Sequence, residues 1–120
     1  MSITFVNLTK HEVKELISGT TILPSGTIAR ITTNTDVVQT INNIPIVVSR
    51  CTAIAGIPEP KANTMYIVAS LVADNLALYP EYACRKDIVS PCKVKREGNK
   101  SSGDVIGCEM FRGLSNAYPA

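Results

Sequence analysis

At 120 residues the chain is the length of one domain, and a domain of this size buries roughly two-thirds of the surface its unfolded form exposes. Apolar residues make up 45% of it and aromatics only 5%, with Val and Ile outnumbering the rings, so a β-branched core packed by strands is expected. A net charge of +2 is too small to drive non-specific binding to polymeric nucleic acid or to a membrane, and any basic site must therefore be local.

The opening, Met1-Ser2-Ile3-Thr4-Phe5-Val6, lacks the basic start and long apolar run of a secretory leader. No stretch reaches the ~18 apolar residues of a membrane span, so a cytoplasmic location is expected. Ile3 to Leu8 reads as a first strand running into a turn at Asn7-Leu8-Thr9. His11 to Ile17 reads either as a second strand or as a short helix, because the segment is too short for periodicity to decide. Pro24-Ser25-Gly26 is a turn signal, and Thr27 to Thr33 then alternates as a half-buried strand does. Asn34-Thr35-Asp36 is expected to turn the chain before another strand, Val37 to Ile41. Asn42-Asn43 offers a two-residue hairpin loop tolerant of positive φ, leading into a strand from Ile44 to Ile54.

Gly56-Ile57-Pro58-Glu59-Pro60 interrupts the sheet, since neither proline can donate a ladder hydrogen bond. Met65 to Ala69 suits a central strand. Leu71 to Leu78 reads as the main helix, with Ser70 as its N-cap and an apolar stripe through Leu71 and Leu78, ending at Tyr79-Pro80. Cys92 to Arg96 and Asp104 to Met110 are expected to pair as a closing hairpin across the polar loop Glu97 to Gly103, with a loose tail beyond Phe111. The expected fold is a single α+β domain over residues 1–120, strand-rich, with one main helix.

The residues that could carry chemistry are few. Cys51, Cys84, Cys92 and Cys108 contain no C-x-x-C pair, so reduced and mostly buried thiols are expected, with a Cys84–Cys92 bridge as the alternative. His11 is the sole histidine and lacks the second histidine of an H-E-x-x-H motif, which reads as a structural turn residue before a catalytic base. No carboxylate pair marks an acid/base site, and the expectation is a chain without a catalytic residue, metal or cofactor. The junction at Val68-Ala69-Ser70-Leu71 presents a helix N-terminus suited to phosphate, although an ordinary cap explains it equally. Arg85-Lys86-Asp87 and Lys93-Val94-Lys95-Arg96, with Lys100, are the basic concentration. They read as phosphate donors or as a guarded sheet edge. Tyr66, Tyr79 and Tyr82 could stack on bases or pack at the core rim.

Asn7-Leu8-Thr9-Lys10-His11-Glu12-Val13 resembles the opening Asn-Leu-Thr-Pro-His of a family of small phage and bacterial proteins. Ala29-Arg30-Ile31, Gly56 to Pro60, Tyr66 to Ser70, Arg85 to Pro91 and Val105-Ile106-Gly107-Cys108 follow in the same order and extend the resemblance over nearly the whole chain. Lys10 departs from the family's proline, and the insert Asn99 to Gly103 lengthens the last loop. The resemblance implies a phage anti-defence sponge, a homo-oligomer that sequesters the cyclic-nucleotide signals of CBASS-type bacterial immunity without turning them over. On that reading Arg30 and Arg85 contact phosphates, Tyr66 and Tyr82 stack on bases, and Asn7, Thr9, His11 and Ser70 supply neutral hydrogen bonds. The alternative is a structural or interaction module of a phage, either a particle component or an inhibitor of a host protein.

Overall fold

A computed structural model describes residues 3–96 and 105–118. Eight strands dominate these residues: β1 (Thr4–Asn7), β2 (Val13–Glu15), β3 (Thr20–Ile22), β4 (Arg30–Ile41), β5 (Ile44–Ala55), β6 (Thr64–Ile67), β7 (Ile88–Arg96) and β8 (Val105–Gly113). Between β6 and β7 lie α1 (Ser70–Leu76) and the single turn α2 (Pro80–Ala83). The expected α+β class is thereby corrected. A seven-residue helix and a four-residue one form a cover on the sheet, not a second layer of comparable size, and the architecture is closer to all-β.

Six strands form one sheet in the order β1-β6-β7-β8-β2-β3. β1, β6 and β7 run parallel in turn, β7 and β8 antiparallel, β8 and β2 parallel, and β2 and β3 antiparallel. The two edges approach each other: Asn7 bridges Pro24 just beyond β3, the Ser25 amide donates to the Asn7 carbonyl at 2.9 Å, and the Ala29 amide donates to the Leu8 carbonyl at 2.9 Å. The sheet is a nearly closed barrel, which leaves few strand edges unpaired.

Alternation along β6 shows how the sheet divides its two faces. Ile67 joins Val13, Val89 and Cys108 in one apolar cluster, bordered by Ile22, Met65 and Phe111. Tyr66 and Val68 point the other way, into a cluster with Leu8, Val72, Ala73, Leu76, Ile88 and Leu114. α1 belongs to that second cluster because β6 and β7 are parallel neighbours, and a parallel pair needs a crossover that passes over one face. The helix turns Val72, Ala73 and Leu76 inward, whereas Leu71 and Leu78, expected on the buried stripe, are 65% and 77% exposed.

β4 and β5 form a separate two-stranded antiparallel ribbon of twelve residues each, closed by Asn42 and Asn43 at φ 50° and 65°. That loop matches expectation. The turn expected at Asn34-Thr35-Asp36 does not form. The ribbon is exposed, so polar residues sit in it at no desolvation cost, and the Thr35 and Ser49 hydroxyls hydrogen-bond across the strands at 2.9 Å. Only the base of the ribbon is anchored, through Ile31 and Ile54 against the core and the Tyr79 hydroxyl donating to the Cys51 carbonyl at 2.9 Å.

Two further expectations change. Residues 112–118 are packed and not loose: β8 continues to Gly113, a 3₁₀ turn spans Ser115–Ala117, and Leu114 and Ala117 are buried. The four cysteines are free thiols, of which only Cys108 is buried while Cys84 is exposed. The closing hairpin forms as β7 and β8, and its expected loop from Glu97 onward lies outside the described residues up to Asp104. Among the described residues, no helix is long and apolar enough to cross a membrane.

Candidate functional site

The turn after β1 is built around one side chain. Asn7 is fully buried, and a buried amide needs partners for two donors and one acceptor. Its Nδ2 donates to the carbonyls of His11 (2.8 Å) and Ile22 (3.0 Å). Its Oδ1 accepts from the Thr9 amide (2.9 Å) and the Thr9 hydroxyl (2.6 Å). Thr9 Oγ1 also lies 2.9 Å from the His11 carbonyl. The Asn-x-Thr-x-His pattern is thus a lock that folds residues 7–11 into a tight turn and ties it to β3.

The lock presents Thr9, Lys10 and His11 to one side of an open depression of about 410 Å³. Ile28, Ala29, Arg30 and Ile31 form the other side, and Leu8 and Ala69 complete it. Ala29 is held by its hydrogen bond to Leu8 and is buried, so the next residue, Arg30, projects outward at the start of β4. Lys10, His11 and Arg30 are exposed, and their side chains make no hydrogen bond or ion pair among the described residues. An apolar floor with two unengaged cations and an imidazole at its rim is suited to an anion that also carries an apolar or aromatic portion.

Three expected ligand residues, Thr9, His11 and Arg30, therefore meet in one place. Ser70 is exposed beside Ala69 at the start of α1, but it is the first helical residue and not the cap. Ala69 takes that position at φ −65° and ψ 152°, with no side-chain cap. The remaining expected residues lie elsewhere. Asn7 has all its hydrogen-bonding capacity engaged inside the fold. Tyr66 is 3% exposed and donates its hydroxyl to the Glu59 carbonyl at 3.2 Å. Tyr82 is half-buried against the core.

Arg85 holds the Gly56 to Pro60 loop. Its Nε and Nη2 grip Asp87 in a two-point contact at 2.9 and 2.7 Å, and Nη1 donates to the Pro58 carbonyl at 2.9 Å. Its guanidinium carbon sits 5.9 Å from the centre of the Tyr66 ring. The hydrogen bonds it donates to Asp87 push the guanidinium pKa further up, and no donor arrangement is left facing the depression. The neighbouring cations are also engaged: Lys86 lies 5.5 Å from the Tyr118 ring centre and Lys95 pairs with Glu109 at 3.3 Å. The Lys93 and Arg96 side chains and Lys100 are outside the described residues.

Sequence reasoning missed Lys10 as a site residue. Its signal was its position between Thr9 and His11, because a locked turn exposes its central residue. Ile28 and Ala69 carried no such signal. A second hollow, of about 290 Å³, lies between α1 and the end of β8, where Arg112 pairs with Asp74 at 2.9 Å. Comparison with protein-family models, curated proteins and solved structures finds no match to this chain.

Proposed function

We propose that this chain is a non-catalytic binding protein for a small anionic nucleotide, cyclic in form, which it sequesters as a homo-oligomer. In the setting that the sequence resemblance implies, it acts as a phage anti-defence sponge in the cytoplasm of the host bacterium. The observation that carries the reading is the depression between the Asn7-locked turn and the start of β4, where Lys10, His11 and Arg30 surround an apolar floor without protein partners. Its volume lies within the ~300–1,000 Å³ of small-molecule sites. Lys10 and Arg30 would take phosphate oxygens, Thr9 and His11 would hydrogen-bond, and Ile28 and Ile31 would carry the base. Tyr66 and Arg85 support the site from within the fold instead of touching the ligand.

Thermal unfolding against a panel of linear and cyclic nucleotides tests this, because a ligand that binds only the native state raises stability by mass action. The expected result is a saturating rise with one cyclic nucleotide, which is recovered intact, and a loss of about tenfold or more in affinity on Arg30→Ala. No rise across the panel would remove the proposal.

The uncovered ribbon of β4 and β5 favours a second reading, an interaction module of a phage particle or of a host-protein inhibitor. That reading predicts indifference to nucleotides and a protein that copurifies.

A further inference from the structure

The ribbon of β4 and β5 carries seven branched aliphatic residues near its tip. Paired residues project to the same face of a two-stranded sheet. Ile41 with Ile44, Gln39 with Ile46 and Asp36 with Val48 therefore mark one face, and Val37 with Val47 marks the other, where Pro45 also lies. Val38 is the extra residue of a bulge between them. Val37, Val38, Ile41, Ile44, Ile46 and Val47 are each between 41% and 62% exposed. No residue from 37 to 49 is charged, and no lysine stands on either strand to guard the open edges. An isolated two-stranded ribbon is only marginally stable in water, so this one needs a cover.

We propose that the ribbon is an assembly arm whose two faces are covered by further copies of this chain. The area fits. From Thr33 to its tip the ribbon is roughly 30 Å long and 10 Å wide, so its two faces offer about 600 Å² per protomer. A copy laid on one face buries about 300 Å² on each side, about 600 Å² in all, so both faces must be covered before the arm buries the ~1,200 Å² of a specific stable assembly. The charge distribution also favours a like partner. The apolar stretch is bounded by Asp36 and Arg50, which lie on the same face as Ile41, Ile44 and Ile46. A second copy facing it in the same direction, about a two-fold axis along the ribbon, brings an arginine to that aspartate and an aspartate to that arginine, as a self-complementary contact requires. An uncharged arm gives no hold to a strongly acidic or basic partner.

This inference rests on the self-association in the proposed function and is independent of the nucleotide. Sedimentation velocity without ligand tests it alone. The wild-type chain should sediment as an oligomer at about 100 μM. Ile44→Lys with Ile46→Lys, and separately Val37→Lys with Val47→Lys, should shift it to smaller species. Far-UV circular dichroism should be retained, since these side chains lie away from both core clusters. Ile44→Thr with Ile46→Thr keeps β-branching, and with it strand propensity, and should dissociate the assembly in the same direction. A monomeric wild type, or lysine variants with unchanged oligomer size, would overturn the proposal. Nucleotide binding that persists in a monomer would leave the site reading standing and separate the two.

Discussion

Asn7→Ala removes the lock between the first turn and β3, and its cost follows from the four contacts Asn7 makes. The amide donates to two backbone carbonyls and accepts from the Thr9 amide and hydroxyl, all from a fully buried position. A hydrogen bond contributes about 1 kcal/mol net, and more when its loss leaves a buried partner unsatisfied, so the substitution should cost about 4 kcal/mol. For a chain of this length each kcal/mol lowers the melting temperature by about 4 °C, which gives a fall of about 15 °C. Asn7→Asp should be comparably destabilising near neutral pH, because it turns a carboxylate oxygen toward the carbonyls of His11 and Ile22. Thr9→Val, which keeps the shape and loses only the hydroxyl, should cost about 1 kcal/mol. Differential scanning calorimetry of the three variants reads these directly. A fall of less than about 4 °C for Asn7→Ala would refute the lock, since it would mean that less than about 1 kcal/mol resides in the whole network.

Other substitutions probe separate parts of the fold. Arg85→Ala leaves Asp87 partly buried without its cation and should cost about 2–3 kcal/mol in urea unfolding, most of it recovered in an Arg85→Met, Asp87→Leu double variant. Gly56→Ala should cost more than about 2 kcal/mol by the same measurement. Gly56 sits at φ 82°, and a Cβ there would collide with the Ile28 carbonyl. Glu15 accepts from the amides of Ile17 and Ser18 and from the Ser18 hydroxyl, and these bonds hold its pKa below the usual 4.5. A depressed folded value means that the β2–β3 turn gains stability above pH 4.5 and loses it as pH falls through the lower folded value. The protection factors of the Ile17 and Ser18 amides, relative to their intrinsic exchange rates, should therefore fall in that acidic window and stay flat above it. Thiol labelling should modify exposed Cys84 first. Cys108, whose burial raises its pKa, should react only on unfolding.

The parts of the fold legible in the sequence were those set by local chemistry. Asn42-Asn43 fixed the ribbon loop because only residues tolerant of positive φ close a two-residue hairpin. Pro58 and Pro60 broke the sheet for an equally local reason, whereas α1 ends at Leu76, short of the end expected at Tyr79-Pro80, and Pro80 opens α2 instead. What was not legible depended on partners distant in sequence. Asn34-Thr35-Asp36 has turn composition, yet it runs straight because Ser49 and Arg50 pair with it. Thr20–Ile22 is a strand only because β2 lies beside it. α1 buries Val72, Ala73 and Leu76 in place of Leu71 and Leu78, because the crossover sets which side faces β7, and a seven-residue helix has too few turns to show a stripe.

The candidate site divides along the same line. Sequence reasoning marked residue types able to bind an anion, and the fold sorts them by whether the protein already engages them. Tyr66 and Arg85 are an aromatic ring and a guanidinium, as a nucleotide site needs, but they face each other and the loop backbone. Their pairing stiffens the Gly56 to Pro60 segment that leads out of the ribbon. Asn7 acts one step further back: by holding the His11 and Ile22 carbonyls together it closes the barrel and, with the same atoms, turns Lys10 and His11 toward Arg30. Barrel closure and the cationic rim are thus one structural event. An Asn7 variant that still folds should therefore lose anion binding along with stability, whereas Arg30→Ala should lose binding alone.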